Sequence, residues 1–367
     1  MRRSRSVPKN RTINVTHFQR RPLDQQLSIE RVFAAVRECL PPSIRPRVVE
    51  ASYSSRGVWR RVCNMLHAVF QQGDVNHITG DVHYLAIPLH KRKTLLTIHD
   101  CISLERLHGL RWWLFYLFWY WLPSRRVAAI SVISEATKRE FLRYVQYDPA
   151  KIRVIYDPCP QIFQPSPKPF NQENPIILQV GTGANKNLPR VAEALRGIPC
   201  HLRIIGKLNE DQIRALGACG MRYSSDANLS AEEMLVEYRR CDMVVFVSTY
   251  EGFGMPIVEA NATGRPVVTG NILSMPEVAG NAASFADPFD VASIRKAILR
   301  VIEDDKFRDA LVERGYENAL RFRPEHIASL YASLYRELAS SAGAAVGKVD
   351  SDAGVDGSPR HELSHSR

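Results

Sequence analysis

From residue 12 onward, short β-branched apolar runs alternate with longer stretches whose apolar residues recur every three or four positions. The first kind predicts strands buried on both faces, the second amphipathic helices. In the first half, TINVTHF (12–18), PRVVEAS (46–52), DVNHITG (74–80), KTLLTIHD (93–100), VAAISVIS (127–134) and KIRVIYDP (151–158) predict strands. Residues 28–39, 59–70 and 134–145 predict helices, the last capped by Ser134 with Glu135 in its first turn. Strands separated by helices imply crossover units and a parallel sheet. The proline-rich, aperiodic stretch 156–175 interrupts the alternation. It then restarts, with strands at 175–182, 200–207, 242–249 and 265–270 and helices at 188–197, 230–241 and 256–264. Three helical patterns follow, at 289–304, 306–320 and 325–339.

The expected fold class is therefore α/β: two Rossmann-like, doubly wound parallel-sheet domains facing each other across a cleft, with ligands at the strand carboxyl ends. The expected limits are a basic tail (1–11), a first domain (12–160) joined by the C-terminal helix 325–340, a linker (161–174), a second domain (175–324) and a disordered tail (341–367). A length of 367 residues suits two domains.

A net charge of +11 favours anionic partners: nucleic acid, an anionic membrane surface or phosphorylated small molecules. Seven scattered cysteines without a C-x-x-C pair point to a reducing compartment, away from disulfides or structural zinc. No apolar segment follows the basic start, so no secretory signal is expected. The run RWWLFYLFWYWLP (111–123) is shorter than the roughly 20 residues a membrane-spanning helix needs. Its aromatic residues instead predict docking on a membrane surface through Trp112, Trp113, Trp119 and Trp121, with Arg125 and Arg126 toward anionic headgroups. The alternative is a helix buried against the first core.

Candidate chemistry lies in STYEGFGMPIVEANATGRPVV, residues 248–268. Glu251 falls in the loop after a strand, Pro256 suits the first position of a helix, and Glu259 lies one turn inside it. The N–H groups near Gly254 and Met255 stand at the positive end of that helix. Two carboxylates beside bare N–H donors can hold a polyhydroxylated, phosphorylated ligand; otherwise Glu259 complements the dipole and Glu251 is solvated. GTGANK is neither a P-loop nor a complete dinucleotide fingerprint, and no H-E-x-x-H occurs, so neither metal nor cofactor is expected.

The run from Glu251 to Gly280 resembles the donor signature of retaining GT-B glycosyltransferases of family 4: glutamate, seven residues, glutamate, then a small-residue helix, G-x-P-V-V and P-E-V-x-G. The resemblance extends to ILQVGTGANKNLPRVAEAL, YRRCDMVVFVST, LLTIHD and ISVISEATKREFLRY, and so covers most of 12–340. It implies an N-terminal acceptor domain and a C-terminal donor domain. Catalytic residues would be His99, facing the sugar, Lys186, neutralising the diphosphate, and Glu251, binding sugar hydroxyls. Glu259 would hold the ribose. The backbone around Gly252, Phe253 and Gly254 would line the sugar and phosphates, with Met255 next to it and Gly181, Thr182 and Asn187 beside Lys186. The family pairs its lysine with a nearby arginine; here Lys207 is the substitute. QRRPLDQQLS stands where the family has a glycine-rich loop, so acceptor contacts are not carried over.

The implied reaction moves a hexose, mannose being one candidate, from a GDP- or UDP-linked donor to a saccharide or lipid-linked acceptor with retention. The setting would be polysaccharide, lipopolysaccharide or glycolipid synthesis, cytoplasmic or peripheral on the inner face of the plasma membrane, without nucleic acid. A nucleotide-sugar epimerase of the same fold and a non-catalytic basic scaffold are the alternatives.

Overall fold

The structure, a computed structural model, describes residues 12–21 and 28–352. The first lobe contains β1 (Ile13–Gln19), β2 (Ile44–Glu50), β3 (Val75–Ile78), β4 (Thr94–Ile98), β5 (Ala129–Val132) and β6 (Ile152–Val154). The second contains β7 (Ile176–Val180), β8 (His201–Ile205), β9 (Tyr223–Asp226), β10 (Met243–Phe246), β11 (Val267–Gly270) and β12 (Ser284–Ala286). Each set forms one parallel sheet, in the orders β2-β1-β3-β4-β5-β6 and β12-β11-β10-β7-β8-β9. Helices cover both faces of each sheet, which is why central strands such as β4 and β10 are buried along their whole length. The two doubly wound α/β domains expected from the alternation are present. The short strands β9 and β12 and the helix Glu210–Ala218 are additional. Edge strands reading YSSD and SFA offer too little apolar pattern to predict.

The chain crosses between lobes twice. Residues 156–175 hold no regular element, but they are packed and not free: Cys159 and Phe163 are buried in the second lobe's core. The return crossing leads into the helix Pro324–Asp352, and the two crossings meet where Cys159 N–H donates to the Phe322 carbonyl. Phe322 meets Tyr156 and Phe253 edge to face, and the latter two rings lie tilted against each other, closing this hinge.

The final helix completes the first lobe. Its Ile327, Ala328, Tyr331 and Tyr335 pack with Val15, Phe33, Val75 and Leu95. Within that core the Tyr335 hydroxyl lies 3.0 Å from His17 Nε2 and 2.7 Å from His77 Nδ1, and His77 Nε2 lies 2.7 Å from Thr97 Oγ1. The helix runs on to Asp352, past the expected start of the tail at 341. The basic tail 1–11, most of the QRRPLDQQLS loop and residues 353–367 lie outside the described residues.

The aromatic segment forms a helix (Gly109–Phe115), a widened π turn (Tyr116–Trp121) and a last turn (Leu122–Arg125). The π turn alters which side chains face inward. Trp119 is therefore 4% exposed, with its indole N–H on Asp81, and cannot touch a membrane as expected. Trp112 is half-buried, stacked on Tyr116 and bonded to the Leu104 carbonyl, and Trp121 lies half-buried under Arg125. Of the four tryptophans only Trp113, at 61%, is exposed. Among the described residues no helix is long and apolar enough to cross a membrane.

Candidate active site

In the second sheet the strand order reverses between β7 and β10, and the loops after these two strands open into the same crevice. One carries Lys186 and the other Glu251. Gly181 begins the first loop with φ of 91°, and a Cβ there would come within 2.9 Å of the Lys186 side chain. Glycine is needed both for the turn and to let the lysine fold back across it. Lys186 Nζ then lies 2.6 Å from Glu251 Oε1 and 4.6 Å from the centre of the Phe246 ring. Asn185 donates to the Tyr250 carbonyl at 3.0 Å and reaches Glu251 Oε1 at 3.4 Å.

The carbonyls of the 250–253 turn are each drawn to a named donor. Ser274 Oγ lies 2.9 Å and 2.8 Å from those of Glu251 and Phe253, while Ser134 and Thr137 hydroxyls reach that of Gly252 at 2.7 Å and 3.1 Å. Gly254, with φ of 115°, then opens the helix Met255–Thr263; Pro256 has no N–H and the Ile257 N–H donates back to the Gly254 carbonyl at 3.0 Å, so the N–H groups of Gly254 and Met255 are the ones left at the positive end of the helix. Glu259, one turn in, accepts a 2.6 Å bond from Tyr238. Burial raises the Glu259 carboxyl above the usual range, while that bond and the Arg31 guanidinium pull it back. Arg31 belongs to the first-lobe helix Ser28–Glu38, so it supplies a cation from across the cleft.

The first lobe meets this turn closely. His99 follows β4, and its Nε2–H donates to the Thr79 carbonyl at 2.9 Å, which fixes the tautomer. Burial raises the neighbouring Asp100 carboxyl against the Ile102 N–H bond, and Asp81 and Glu251 push it further in the same direction. Asp157, wholly buried, is pushed up to about 6 by desolvation, with His99 opposing. Tyr250 donates to Glu140 at 2.8 Å and accepts from Cys101 N–H at 3.2 Å. The Glu277 carboxylate accepts from the N–H groups of Glu135 and Ala136 at 2.7 Å and 3.1 Å, capping the helix Glu135–Tyr144 from the opposite lobe.

The structure thus brings Gly181, Lys186, Glu251, Gly252, Gly254, Met255 and Glu259 to one crevice, with His99 on the facing wall. Two expected donor contacts, those of Asn187 and Thr182, differ. Asn187 is buried in a left-handed conformation, its amide spent on Val247 and Pro288 carbonyls and on Arg190. Phe253 puts its ring into the hinge, so only its backbone is available. Thr182 donates to the Lys207 carbonyl, which makes these two residues partners in a loop contact. The Ser134, Thr137, Ser274 and Glu277 contacts and the approach of Arg31 were not read from the sequence. Their partners lie far away in the chain, and only the P-E-V-x-G motif around Glu277 gave any signal.

Two family models match. The one described as Glycosyl transferases group 1 covers residues 161–318, and Glycosyltransferase Family 4 covers 16–159. A 107-residue stretch is 39% identical to O-antigen chain mannosyltransferase B of Escherichia coli, which is 29% of this chain and spans only 28% of that relative. Among solved structures, HepE of Anabaena in complex with UDP and glucose superposes with a TM-score of 0.71 at 15% identity, over 89% of this chain and all of that one. WaaG, a glycosyltransferase involved in lipopolysaccharide biosynthesis, superposes at 0.64 and 13% identity, over 88% and 99%. At such identities the likeness establishes the fold.

Proposed function

Because this chain belongs to the group 1, family 4 glycosyltransferases, we propose that it moves a hexose from a nucleotide-diphosphate donor to an acceptor hydroxyl with retention of configuration. The observation that supports this most is the Lys186–Glu251 pair at the reversal of the second sheet, faced by His99. In the structure the two charges satisfy each other. When donor enters, the ammonium turns to the diphosphate and the carboxylate to sugar hydroxyls. The bond from the anomeric carbon to the β-phosphate oxygen breaks, and the acceptor oxygen bonds to that carbon. The acceptor's proton passes to the departing phosphate. Lys186 and the N–H groups of Gly254 and Met255 stabilise the growing negative charge without a divalent ion. His99, locked by Thr79, presents Nδ1 for the sugar.

Mannose is the first sugar to test, since the Escherichia coli relative is by name a mannosyltransferase in O-antigen synthesis. A saccharide or lipid-linked acceptor and a peripheral position on the cytoplasmic membrane face complete the reading. A thermal-shift panel of GDP- and UDP-linked sugars tests the donor. Stabilisation by one of them, followed by transfer to an acceptor, is expected. No stabilisation by any would overturn the reading.

A further inference from the structure

We propose that the first lobe rests on an anionic phospholipid bilayer through two neighbouring helices, Val58–Val69 and the aromatic segment 109–125. This deepens the peripheral position proposed above and does not depend on which sugar is moved. The first of these helices is turned inside out. Val58, Trp59, Val62, Leu66, Val69 and Phe70 share one face, yet the buried residues of the helix are Asn64 and Ala68 on the opposite side. Trp59 is 76% and Phe70 83% exposed, with Val58 and Leu66 also exposed. A helix that shows its apolar stripe to solvent is unpartnered.

The aromatic segment does the same beside it. Leu110, Trp113, Leu114 and Phe118 are exposed along one side. The other side is pinned inward by the Trp119–Asp81 bond and by Tyr120, which donates to the Asp100 carbonyl at 2.9 Å. The two helices adjoin. Arg61 of the first stacks on Trp119 of the second at 4.6 Å, and Tyr84 packs between them, bonded to Asn64 and tilted against Trp119. Their far ends meet around Gln72, His90 and Arg126.

Charge selects the occupant. Residues 51–73 and 106–134 contain no aspartate or glutamate, but they contain Arg56, Arg60, Arg61, Arg106, Arg111, Arg125 and Arg126. Between them Lys91, Arg92 and Lys93 border the meeting point of the two helices. A protein partner would need a matching acidic, apolar groove. A bilayer with anionic headgroups offers apolar depth and negative charge over the whole area at once. Because the inner side of the aromatic segment bonds to the loop following His99, a bilayer seated there lies beside the wall of the cleft that faces the donor.

The test is co-sedimentation of the full chain with vesicles of phosphatidylcholine alone or with added phosphatidylglycerol, at low and high salt. The wild type is expected to sediment with the anionic vesicles at least about tenfold more strongly, and salt should weaken this. Trp59→Glu/Phe70→Glu and Trp113→Glu/Leu114→Glu are each expected to lower that partition about tenfold, with nucleotide-sugar binding and melting temperature retained. If the glutamate pairs unfold the protein, the corresponding serine pairs replace them. The proposal fails if the wild type stays in the supernatant or if neither pair alters partition. It also fails if the variants instead abolish a dimer formed without lipid, which would give the face to a second copy of the chain. Donor binding, measured on the same samples, separates these failures from failure of the proposed reaction.

Discussion

Gly252 and His99 meet across the cleft: a methyl group on Gly252 would stand 2.2 Å from the His99 carbonyl oxygen. No heavy atom can occupy that space unless the lobes separate. Gly252→Ala is therefore expected to hold the lobes apart, raise the radius of gyration in X-ray scattering and lower turnover about tenfold or more, since closure brings the reacting groups together. Wild-type turnover with unchanged scattering would show that the contact is not needed for catalysis.

The Lys186–Glu251 pair predicts a split. Lys186→Ala should weaken nucleoside diphosphate binding in calorimetry and cut turnover by about 10²–10³-fold, the usual loss when one stabilising donor is removed. Glu251→Ala should depress turnover while leaving diphosphate affinity near the wild type. The double variant should lose less than the product of the two single losses, because each charge partners the other.

Glu277 caps a helix that belongs to the other lobe. Glu277→Ala should cost about 1 kcal/mol in denaturant unfolding, as for loss of a helix cap. It should also raise the apparent KM for donor by loosening closure. Glu277→Gln keeps one acceptor but loses the charge, so it should fall between the two.

Stability should fall on acidification. His17, wholly buried, is held down at about 3 by desolvation and by Arg37, and His77 is lowered well below its ordinary range by burial, His17 and His99. Both stay neutral in the folded protein, so below an unfolded value near 6.5 the unfolded chain takes up protons that the native state refuses. Asp157 acts oppositely: its contribution is full below about 3.8 and is lost as pH rises through about 6. His83 and His201, also lowered by burial, act with His17 and His77, while Asp100, Glu140 and Glu259, raised by burial, act with Asp157; just below about pH 6.5, before the carboxyls take up protons, the histidines act alone and stability should decline. Melting temperatures across that range check it, and His17→Asn or His77→Gln should flatten the slope.

The proposed reaction leaves the charge of the departing diphosphate to Lys186 and the N–H groups of Gly254 and Met255. EDTA should therefore leave transfer unchanged. A loss of rate restored by magnesium would refute this.

Much of the site was legible because its chemistry is local. Glu251, Gly254, Pro256 and Glu259 fall within nine residues, and a strand followed by a proline-started helix fixes how they face. Lys186 entered through the family resemblance of ILQVGTGANKNLPRVAEAL and not through a local pattern of its own. The hydroxyls of Ser134 and Thr137 on the Gly252 carbonyl were not, because 118 and 115 residues separate the partners. The helix Val58–Val69 shows a different limit. Periodicity reveals that a helix has an apolar stripe, but whether the protein covers that stripe depends on neighbours the pattern does not contain. Likewise the aromatic composition of 111–123 does not say which members are exposed: Trp119 is buried, whereas Leu110, Leu114 and Phe118 are exposed beside Trp113.

The last long helix of the chain forms one wall of the lobe that is made first. While the ribosome is still adding the second lobe, Val15, Phe33 and Val75 lack the helix that covers them, and His17 and His77 lack their tyrosine. The opening lobe therefore waits, with one side bare, until the second lobe and the helix beyond it have been made. A truncation that stops before Tyr331 should leave the earlier half prone to aggregation rather than a smaller working enzyme.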